Sequence, residues 1–542
     1  MGVSIRSIIC ALAATALVHL AAGCGEVGDG RTRSLVREVE LGPTIGSLGQ
    51  VLSTPLVAVE GYGLVGGLKG TGSAECPTRV RAYLARYIAT QLPQHRIDVA
   101  RLIASPDTAV VSVQGLMPAI ASTGRSFDVR VTALSGTQTT SLDGGWLYRA
   151  ELLPAGRFVI GARVAGTAAG PVFINKIDES AADLRTGYVP GGGRVAEELS
   201  VNLVLREPDY RLTGLIRDLL NERFGEGTAR AIMAARIELR VPPRYRRQPE
   251  KFFAMVAAMY LGRTEELVAE RINSFVRKLA VSDDKYAAEI ALETIGSASL
   301  GKVGILLNSS REDVRLHAAR CMLNLGSDKG LGALYDIAVN GGGGSTRRIE
   351  AMEAIGLSAR REDAAALLRK LLRDKDFEIV LAASDQLRRL GDASVKREFV
   401  GRSFYLDQIS QTAQKVVYVC RSGEPRIVLF GSPLYCRQNI FVESADRAVI
   451  INAPAGRKYV SLIRRQARRP GITSRRQSSF ELADIIRKLC EEPVSTGDIA
   501  GGGLGVSYSD CISLLQQMCD KGAVGARFMA GPMPKIDLIV KK

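Results

Sequence analysis

Four glycines that recur at nearly regular intervals constrain the middle of this chain more than any other feature. Gly296, Gly326, Gly356 and Gly391 each end a helical pattern, at spacings of 30, 30 and 35 residues. The residues directly before these glycines are Ile295, Leu325, Ile355 and Leu390. Four positions before each glycine stand Leu292, Met322, Met352 and Leu387. Eight positions before stand Ala288, Ala318, Arg348 and Ala383. Such spacing places the apolar residues on one face of a helix. The region is therefore predicted to consist of helices that bury these faces against each other.

This register resembles that of HEAT-type repeats. In such repeats paired helices stack into an α-solenoid, because one pair alone cannot bury its apolar faces. We predict helical, HEAT-like repeats over residues 266–398, with one joint loosened by the four glycines at 341–344. A plain helical bundle is the alternative. The surface of the repeats is expected to bind a partner protein, whose identity the pattern does not specify.

The segments on either side of the repeats have strand patterns. Residues 125–135 alternate Phe127, Val129 and Val131 with polar residues, as a half-buried strand does. We predict a strand-rich core at 51–265, a β-rich segment with a basic loop at 399–479, and helices with a final strand at 480–542. The predicted fold class is α+β, in which an α-solenoid is inserted between the strand-rich core and a C-terminal α/β part.

The first 24 residues have the pattern of a lipoprotein-type signal peptide. Arg6 precedes the apolar run Ile8 to Leu20, and small residues lead into Cys24, as in a bacterial lipobox. The apolar run is too short for a permanent membrane span. We predict lipid attachment at Cys24, a linker at residues 25–50, and a periplasmic protein anchored to the outer membrane. An ordinary signal peptide that happens to end near a cysteine is the alternative.

Seven cysteines follow Cys24 in a chain predicted to reach an oxidising compartment. Plausible disulfide pairs are Cys420 with Cys436, and Cys490 with either Cys511 or Cys519. Cys511 and Cys519 are eight residues apart on a predicted helix, which is about 12 Å along its axis and too far for a bond between them. Cys321 occupies a core position of the repeats and is predicted to be a buried thiol.

Residue types that usually carry catalysis are sparse. Beyond the signal segment the histidines are His95 and His317, and the sequence contains no H-E-x-x-H, C-x-x-C or G-x-S-x-G pattern. We therefore predict a protein that is not an enzyme, with no catalytic residue, no metal site and no cofactor.

Residues 59–73 read VEGYGLVGGLKGTGS and contain six glycines behind an apolar run. Gly61, Gly63 and Gly66 match G-x-G-x-x-G, but Lys69 is followed by Gly70 where a phosphate-binding P-loop requires Ser or Thr. The later glycines would also break the helix that a dinucleotide site needs. We predict instead an extended loop used in subunit assembly, formed by Gly61, Tyr62, Gly63, Gly66, Gly67, Gly70 and Gly72.

A formal net charge of +16 predicts an anionic neighbour. Nucleic acid is not expected outside the cytoplasm, which leaves cell-wall polymer, lipid head groups or an acidic protein. Residues 464–476 form a basic run without any acidic residue, and its arginines are the candidate contacts with an anionic polymer or lipid: Arg464, Arg465, Arg468, Arg469, Arg475 and Arg476. A solvated loop without a ligand is the alternative.

Several of these segments together resemble the bacterial flagellar P-ring protein family. The glycine stretch at 61–72, SLDGGWL at 141–147 and the segment 192–225 that ends NERFG follow the order of the family's motifs. ELADIIRKL at 481–489 and LGVSYSDCISLLQ at 504–516 resemble its closing pattern. The resemblance implies a homo-oligomeric periplasmic ring, a bushing around the flagellar rod at the level of the peptidoglycan and beside the L-ring proteins.

Three classes of function follow. The first is a lipid-anchored structural subunit of a P ring that binds copies of itself. The second is a periplasmic scaffold of another envelope complex, which works through its HEAT-like repeats. The third, a wall-active enzyme, requires a carboxylate or cysteine site that the sequence does not single out.

Overall fold

The computed structural model describes residues 41–52, 56–91, 98–118, 120, 122–156, 163–177, 183–197, 201–466, 469–493 and 502–536, all within one compact unit. Cys24, the predicted signal segment and His95 lie outside these residues. Strands and helices both contribute heavily, so the protein is of the mixed α+β class.

The described chain begins inside the region predicted as a linker. Thr44 caps a single helical turn, α1 (Ile45–Leu48), and β1 (Gly49–Leu52) follows directly. β1 pairs with a strand more than 150 residues later in the chain, so residues 45–50 belong to the folded core.

Six antiparallel strands close into a barrel in the order β2-β3-β4-β7-β6-β5. These strands are β2 (Leu56–Gly66), β3 (Thr108–Pro118), β4 (Ser126–Ala133), β5 (Trp146–Pro154), β6 (Gly166–Pro171) and β7 (Thr186–Val195). In β4 the alternating residues Phe127, Val129 and Val131 are buried, which confirms the half-buried strand predicted there. Two helices between β2 and β3, α2 (Thr78–Gln91) and α3 (Val99–Ile103), cover the outside of the barrel through Leu84 and Ile103.

A second, four-stranded sheet of order β1-β8-β10-β9 follows the barrel. Its later elements are β8 (Val201–Leu205), α4 (Tyr210–Phe224), β9 (Ala229–Met233), β10 (Arg236–Leu239) and α5 (Pro249–Ala258). The carboxylate of Asp209 accepts hydrogen bonds from the first free N–H groups of α4, and Gly225 follows the last turn of the helix. Ile216, Phe252 and Ile237 join the two helices to the sheet in one apolar core.

The middle of the chain is helical, and its main helices are α6 (Glu265–Val281), α7 (Lys285–Ile295), α8 (Leu300–Ile305), α9 (Glu312–Asn324), α10 (Leu331–Asn340), α11 (Gly344–Ser358), α12 (Arg361–Leu371) and α13 (Phe377–Leu390). Gly296 and Gly391 follow α7 and α13 with positive φ, as helix stops do. Gly356 was wrongly predicted as a stop, because it lies inside α11. A Cβ there would lie 2.6 Å from Oε1 of Gln386, so Gly356 lets α13 approach α11.

Within the described part of the chain, no single helix has the length and apolar character to cross a bilayer; only the bent pair Lys285–Ile295 and Ser297–Asn308 meets both criteria jointly.

The last part contains two sheets and two helices. Its elements are β11 (Lys396–Val400), β12 (Phe404–Ile409), β13 (Val416–Cys420), β14 (Arg426–Phe430), β15 (Ile440–Glu443), β16 (Val449–Ala453), β17 (Val460–Gln466), β18 (Arg469–Ser478), α14 (Leu482–Cys490), α15 (Tyr508–Asp520) and β19 (Arg527–Ala530). The sheets have the orders β11-β12-β14-β13-β19 and β15-β16-β17-β18. Both sheets share one core with α14 and α15. Phe173, which follows β6 of the barrel, also enters this core.

Candidate functional site

Three segments that are far apart in sequence meet where the barrel contacts α15. The turn after β2 carries Lys69, the turn before β5 carries Asp143, and the first turn of α15 carries Asp510. These are three of the segments singled out by their sequence patterns. Lys176, which follows β6, lies between the two carboxylates.

Lys176 makes two short ion pairs across this junction. Its Nζ lies 2.6 Å from Oδ2 of Asp143 and 2.6 Å from Oδ1 of Asp510, and each of the three side chains is about one-quarter exposed. Ser507 caps α15 and donates to the other oxygen of Asp510 at 2.9 Å. The arrangement is therefore a salt bridge shared between the barrel and α15.

The charges of the junction alter one another's pKa values. Burial opposes protonation of Lys176, yet Asp143 and Asp510 outweigh it and raise the pKa of the ammonium group. Burial and repulsion from Asp510 raise the pKa of Asp143 against the pull of Lys176. Burial and the nearby Arg464 lower the pKa of Lys69. Oδ1 of Asp143 is buried without a hydrogen-bond partner among the described residues.

Neutral contacts complete the junction. The backbone N–H of Ile174 donates to Oγ of Ser509 at 3.0 Å, and the rings of Phe173 and Tyr508 lie 5.8 Å apart. A second joint lies at the turn between β13 and β14. There Asp128 of the barrel accepts the backbone N–H groups of Gly191 and Gly423 at 2.6 and 2.8 Å.

The glycine-rich stretch is not the extended loop that its composition predicted. Gly61, Tyr62, Gly63 and Gly66 lie in strand β2, and only Gly67 to Gly72 form a turn. Gly61 is needed because a Cβ there would overlap the backbone carbonyl of Glu151 on β5.

The other glycines of the stretch are required for different reasons. A Cβ at Gly66 would lie 2.6 Å from Oη of Tyr148, a Cβ at Gly63 would lie 2.8 Å from Leu147, and a Cβ at Gly72 would overlap the carbonyl of Thr108. Gly67 and Gly70 have positive φ and are exposed at the turn.

The basic run is a β-hairpin and not a loop. β17 and β18 pair from Val460 with Ser478 to Gln466 with Arg469. Arg464 donates to the carbonyls of Leu504 and Gly505, and Arg476 donates to the carbonyl of Gly502, so these two hold the segment that leads into α15. Arg465 and Arg475 are exposed, and Nε of Arg475 donates a hydrogen bond to Oγ of Ser461. Arg469 lies in β18, and Arg468 lies outside the described residues.

Neither predicted disulfide is present, and the seven described cysteines are free thiols. Burial, with the neighbouring Cys511, raises the pKa of Cys490 well above its usual value. Cys420 accepts a hydrogen bond from Nε of Arg426 at 2.9 Å. Cys321 is fully buried, as predicted.

A buried ionic network crosses the helical part. Arg320 of α9 donates twice to Glu289 of α7, at 2.7 and 2.6 Å, and His317 contacts the same carboxylate at 2.6 Å. One helical turn further along α7, Glu293 pairs with Lys251 at 2.7 Å and accepts from Asn324 at 2.7 Å. No sequence pattern singled out either carboxylate, because glutamate in a helix is usually exposed and is rarely buried without a partner.

Lys176 was also missed by sequence reasoning. It stands alone in the segment FINKID, and its partner Asp510 is 334 residues away. Asp143 lies in the motif at 141–147 and Asp510 in the motif at 504–516, but the sequence pattern gave neither of them a role.

Residues 45–274 match the family model described as "Flagellar P-ring protein". Proteins with that name in Aquifex aeolicus and Anaeromyxobacter dehalogenans are 31% identical over 212 and 238 residues, which cover 36% and 40% of this chain and 55% and 61% of theirs. A third, in Nitrosomonas europaea, is 33% identical over 203 residues, or 34% of this chain and 51% of its own. The chain thus spans about half to three-fifths of the length of these relatives.

Proposed function

We propose that this chain is a divergent member of the P-ring family and a non-catalytic structural subunit of a flagellar P ring, because residues 45–274 match that family's model. In this role copies of the chain form a periplasmic ring around the flagellar rod, beside the L-ring proteins. The main support beyond the family match is the junction at Lys176, where the family-like barrel is joined to the helix that carries the closing motif. The barrel and α15, which both carry family-like motifs, are thereby held together.

The proposed contact between copies includes the turn at Gly67 to Gly70. Gly67 and Gly70 are exposed there. Beside it, on β5, Trp146 and Tyr148 are 41% and 44% exposed, and large exposed aromatic residues are enriched where proteins bind each other. Replacement of Trp146 by Ser is expected to weaken assembly and leave the fold intact. Normal ring formation by this variant would remove β5 from the proposed contact.

We also propose that the helical part is a HEAT-like solenoid inserted between the two P-ring-like parts. Its support is a set of contacts whose separation is close to the 30-residue spacing of the first three glycines. Arg320 with Glu289, Asn324 with Glu293, and Ser345 with Asp376 are each 31 residues apart. Equivalent positions of neighbouring repeats meet in this way in a solenoid. The free surface of the repeats would bind a partner protein.

The remaining proposals concern the envelope. Arg465 and Arg475 project from the outer face of the β17–β18 hairpin, where they would contact peptidoglycan or anionic lipid. Arg464 and Arg476 are occupied by backbone carbonyls and are not part of that contact. Lipid attachment at Cys24 would anchor the ring to the outer membrane, and mass spectrometry of the mature N-terminus tests this. An unmodified N-terminus away from Cys24 would refute the anchor.

Electron microscopy of detergent-extracted envelope complexes, with the protein tagged at its C-terminus, tests the ring. We expect tagged rings around a rod. Tagged particles without rings would refute the P-ring role and favour the alternative, a lipid-anchored scaffold of another envelope complex that works through the helical repeats. The alternative has one specific support, which is that helices α7 to α13 lie beyond the family-matched residues.

A further inference from the structure

A cavity of about 490 Å³ lies where the family-matched part meets the helical part. One wall is formed by Arg223 at the end of α4 and by Arg244, Arg247 and Lys251 near the start of α5. The opposite wall is formed by the C-terminal ends of α7, α9 and α11, including Glu293 and Asn324.

The cavity carries an excess of positive charge. Glu293 is the one carboxylate among the described lining residues, and Lys251 neutralises it at 2.7 Å. Within the described parts of the chain, Arg223, Arg244 and Arg247 form no ion pair with any carboxylate. Three unpaired guanidinium groups around one cavity are the arrangement that proteins use to hold oxyanions.

Two of these arginines are held in place by the helix ends. Nη2 of Arg223 donates to the backbone carbonyl of Glu293 at 2.8 Å, and Nη2 of Arg244 donates to the carbonyl of Asn324. A guanidinium has five N–H donors, so each arginine keeps others for a ligand. Because their positions are already fixed, little side-chain freedom is lost when a ligand binds.

We propose that this cavity binds a short acidic peptide through its carboxylates. Three cations in a cavity much larger than a single phosphate favour a ligand with several negative groups over an inorganic ion. The occupant would touch the P-ring-like part and the helical part at once, so it would stiffen the joint between them. The site does not depend on ring formation.

Isothermal titration calorimetry on the full mature protein tests this with an acetylated, amidated tri-glutamate peptide. Its tri-glutamine counterpart and inorganic phosphate are the comparison ligands. We expect tri-glutamate to bind at least tenfold more tightly than either, and to weaken as salt is raised. No heat with tri-glutamate, or equal affinity for tri-glutamine, would overturn the proposal. Phosphate affinity equal to that of tri-glutamate would reduce the cavity to a simple ion site and would also overturn it.

Two adjacent arginines provide a matched pair of variants. Arg247 lines the cavity and Arg246 does not, while both are exposed. Arg247→Gln is expected to weaken tri-glutamate binding about tenfold, which is the loss of one charge-assisted hydrogen bond. Arg246→Gln is expected to change it less than twofold. Equal effects of the two variants would show general charge attraction instead of a site, and would contradict the proposal.

Discussion

At Gly61 the wall of the barrel leaves no space for a methyl group. The residue faces the backbone of Glu151 on β5, and backbone atoms cannot rotate away as a side chain can. Gly214, in the middle of α4, is the opposite case, since a Cβ there would meet nothing within 4 Å.

Substitution of these two glycines should therefore have opposite effects. Gly61→Ala is expected to destabilise the protein by about 2 kcal/mol or more, because β2 and β5 must separate. Gly214→Ala is expected to stabilise it by roughly 0.5–1 kcal/mol, through the better helix propensity of alanine. Urea unfolding of both variants measures the difference. A neutral Gly61→Ala would mean that the barrel wall relaxes without cost.

Two buried carboxylates one turn apart on α7 respond to pH in opposite directions. Burial raises the pKa of Glu293 to about 7, aided by its neighbour Glu289 and opposed by Lys251. Glu289 is also buried, but Arg320 and His317 outweigh that and lower its pKa to about 2. The folded protein thus holds a proton on Glu293 more tightly than the unfolded chain does, and on Glu289 less tightly.

The consequence for stability follows from proton linkage. Stability contributed by Glu293 is fully present below about pH 4.5 and is lost as the pH rises towards 7. Glu293→Gln should therefore flatten the decline of the melting temperature between pH 5 and 7.5. Glu289→Gln should instead alter the acid side, between pH 2 and 4.5. A Glu293→Gln protein with the wild-type slope above pH 5 would contradict this assignment.

Among the elements, the β17–β18 hairpin separates structural from solvent-facing arginines. The side chain of Arg464 reaches the carbonyls of Leu504 and Gly505, whereas Arg465 is exposed on the other face of the strand. The adjacent arginines therefore serve different purposes although the sequence presents them as one run.

Arg464→Gln is expected to cost roughly 1–3 kcal/mol, because two backbone carbonyls lose a charged donor. Arg465→Gln should stay within about 0.5 kcal/mol of the wild type, as exposed substitutions usually do. Thermal unfolding compares the two. An Arg465→Gln variant that is the less stable of the pair would show that the hairpin faces are assigned the wrong way round.

Local patterns predicted local elements well. The alternation in β4 is visible within a dozen residues, and the strand forms. Pro470 and Gly471 lie in β18, an edge strand where a missing N–H is tolerated, although a sequence pattern with both residues favours a loop. Gly356 shows the same difficulty, because the need for glycine there comes from Gln386 on another helix.

The candidate site could be predicted only in part. Its motifs were recognised from the sequence, but the role of Lys176 depends on Asp143 and Asp510, and nothing within its own segment signals either partner. The glycines were likewise noticed, but they were assigned to an assembly loop, whereas Gly61, Gly63 and Gly66 closely approach β5 of the same chain.

For the whole molecule, Lys176 is the main polar link between barrel and α15. Lys176→Met leaves two partly buried carboxylates without their cation, so we expect a loss of about 3 kcal/mol. Lys458→Met, at an exposed lysine, serves as the control and should have little effect. Denaturant unfolding gives the values.

The double variant Lys176→Met with Asp510→Asn removes both partners of one ion pair. It should cost less than the sum of the two single variants, because no unpaired charge remains at Asp510. Strict additivity would mean that the two side chains do not interact in solution.

The two joints of the barrel connect residues that are 334 and 295 positions apart. Contacts between residues this far apart are slow to form, because the loop must close before the contact is made. The barrel residues precede α15 along the chain, so Phe173 and Ile174 lack their partners in the last part until α15 is present. A chain truncated before α15 therefore keeps an apolar surface on the barrel, by which chaperones and proteases can recognise it.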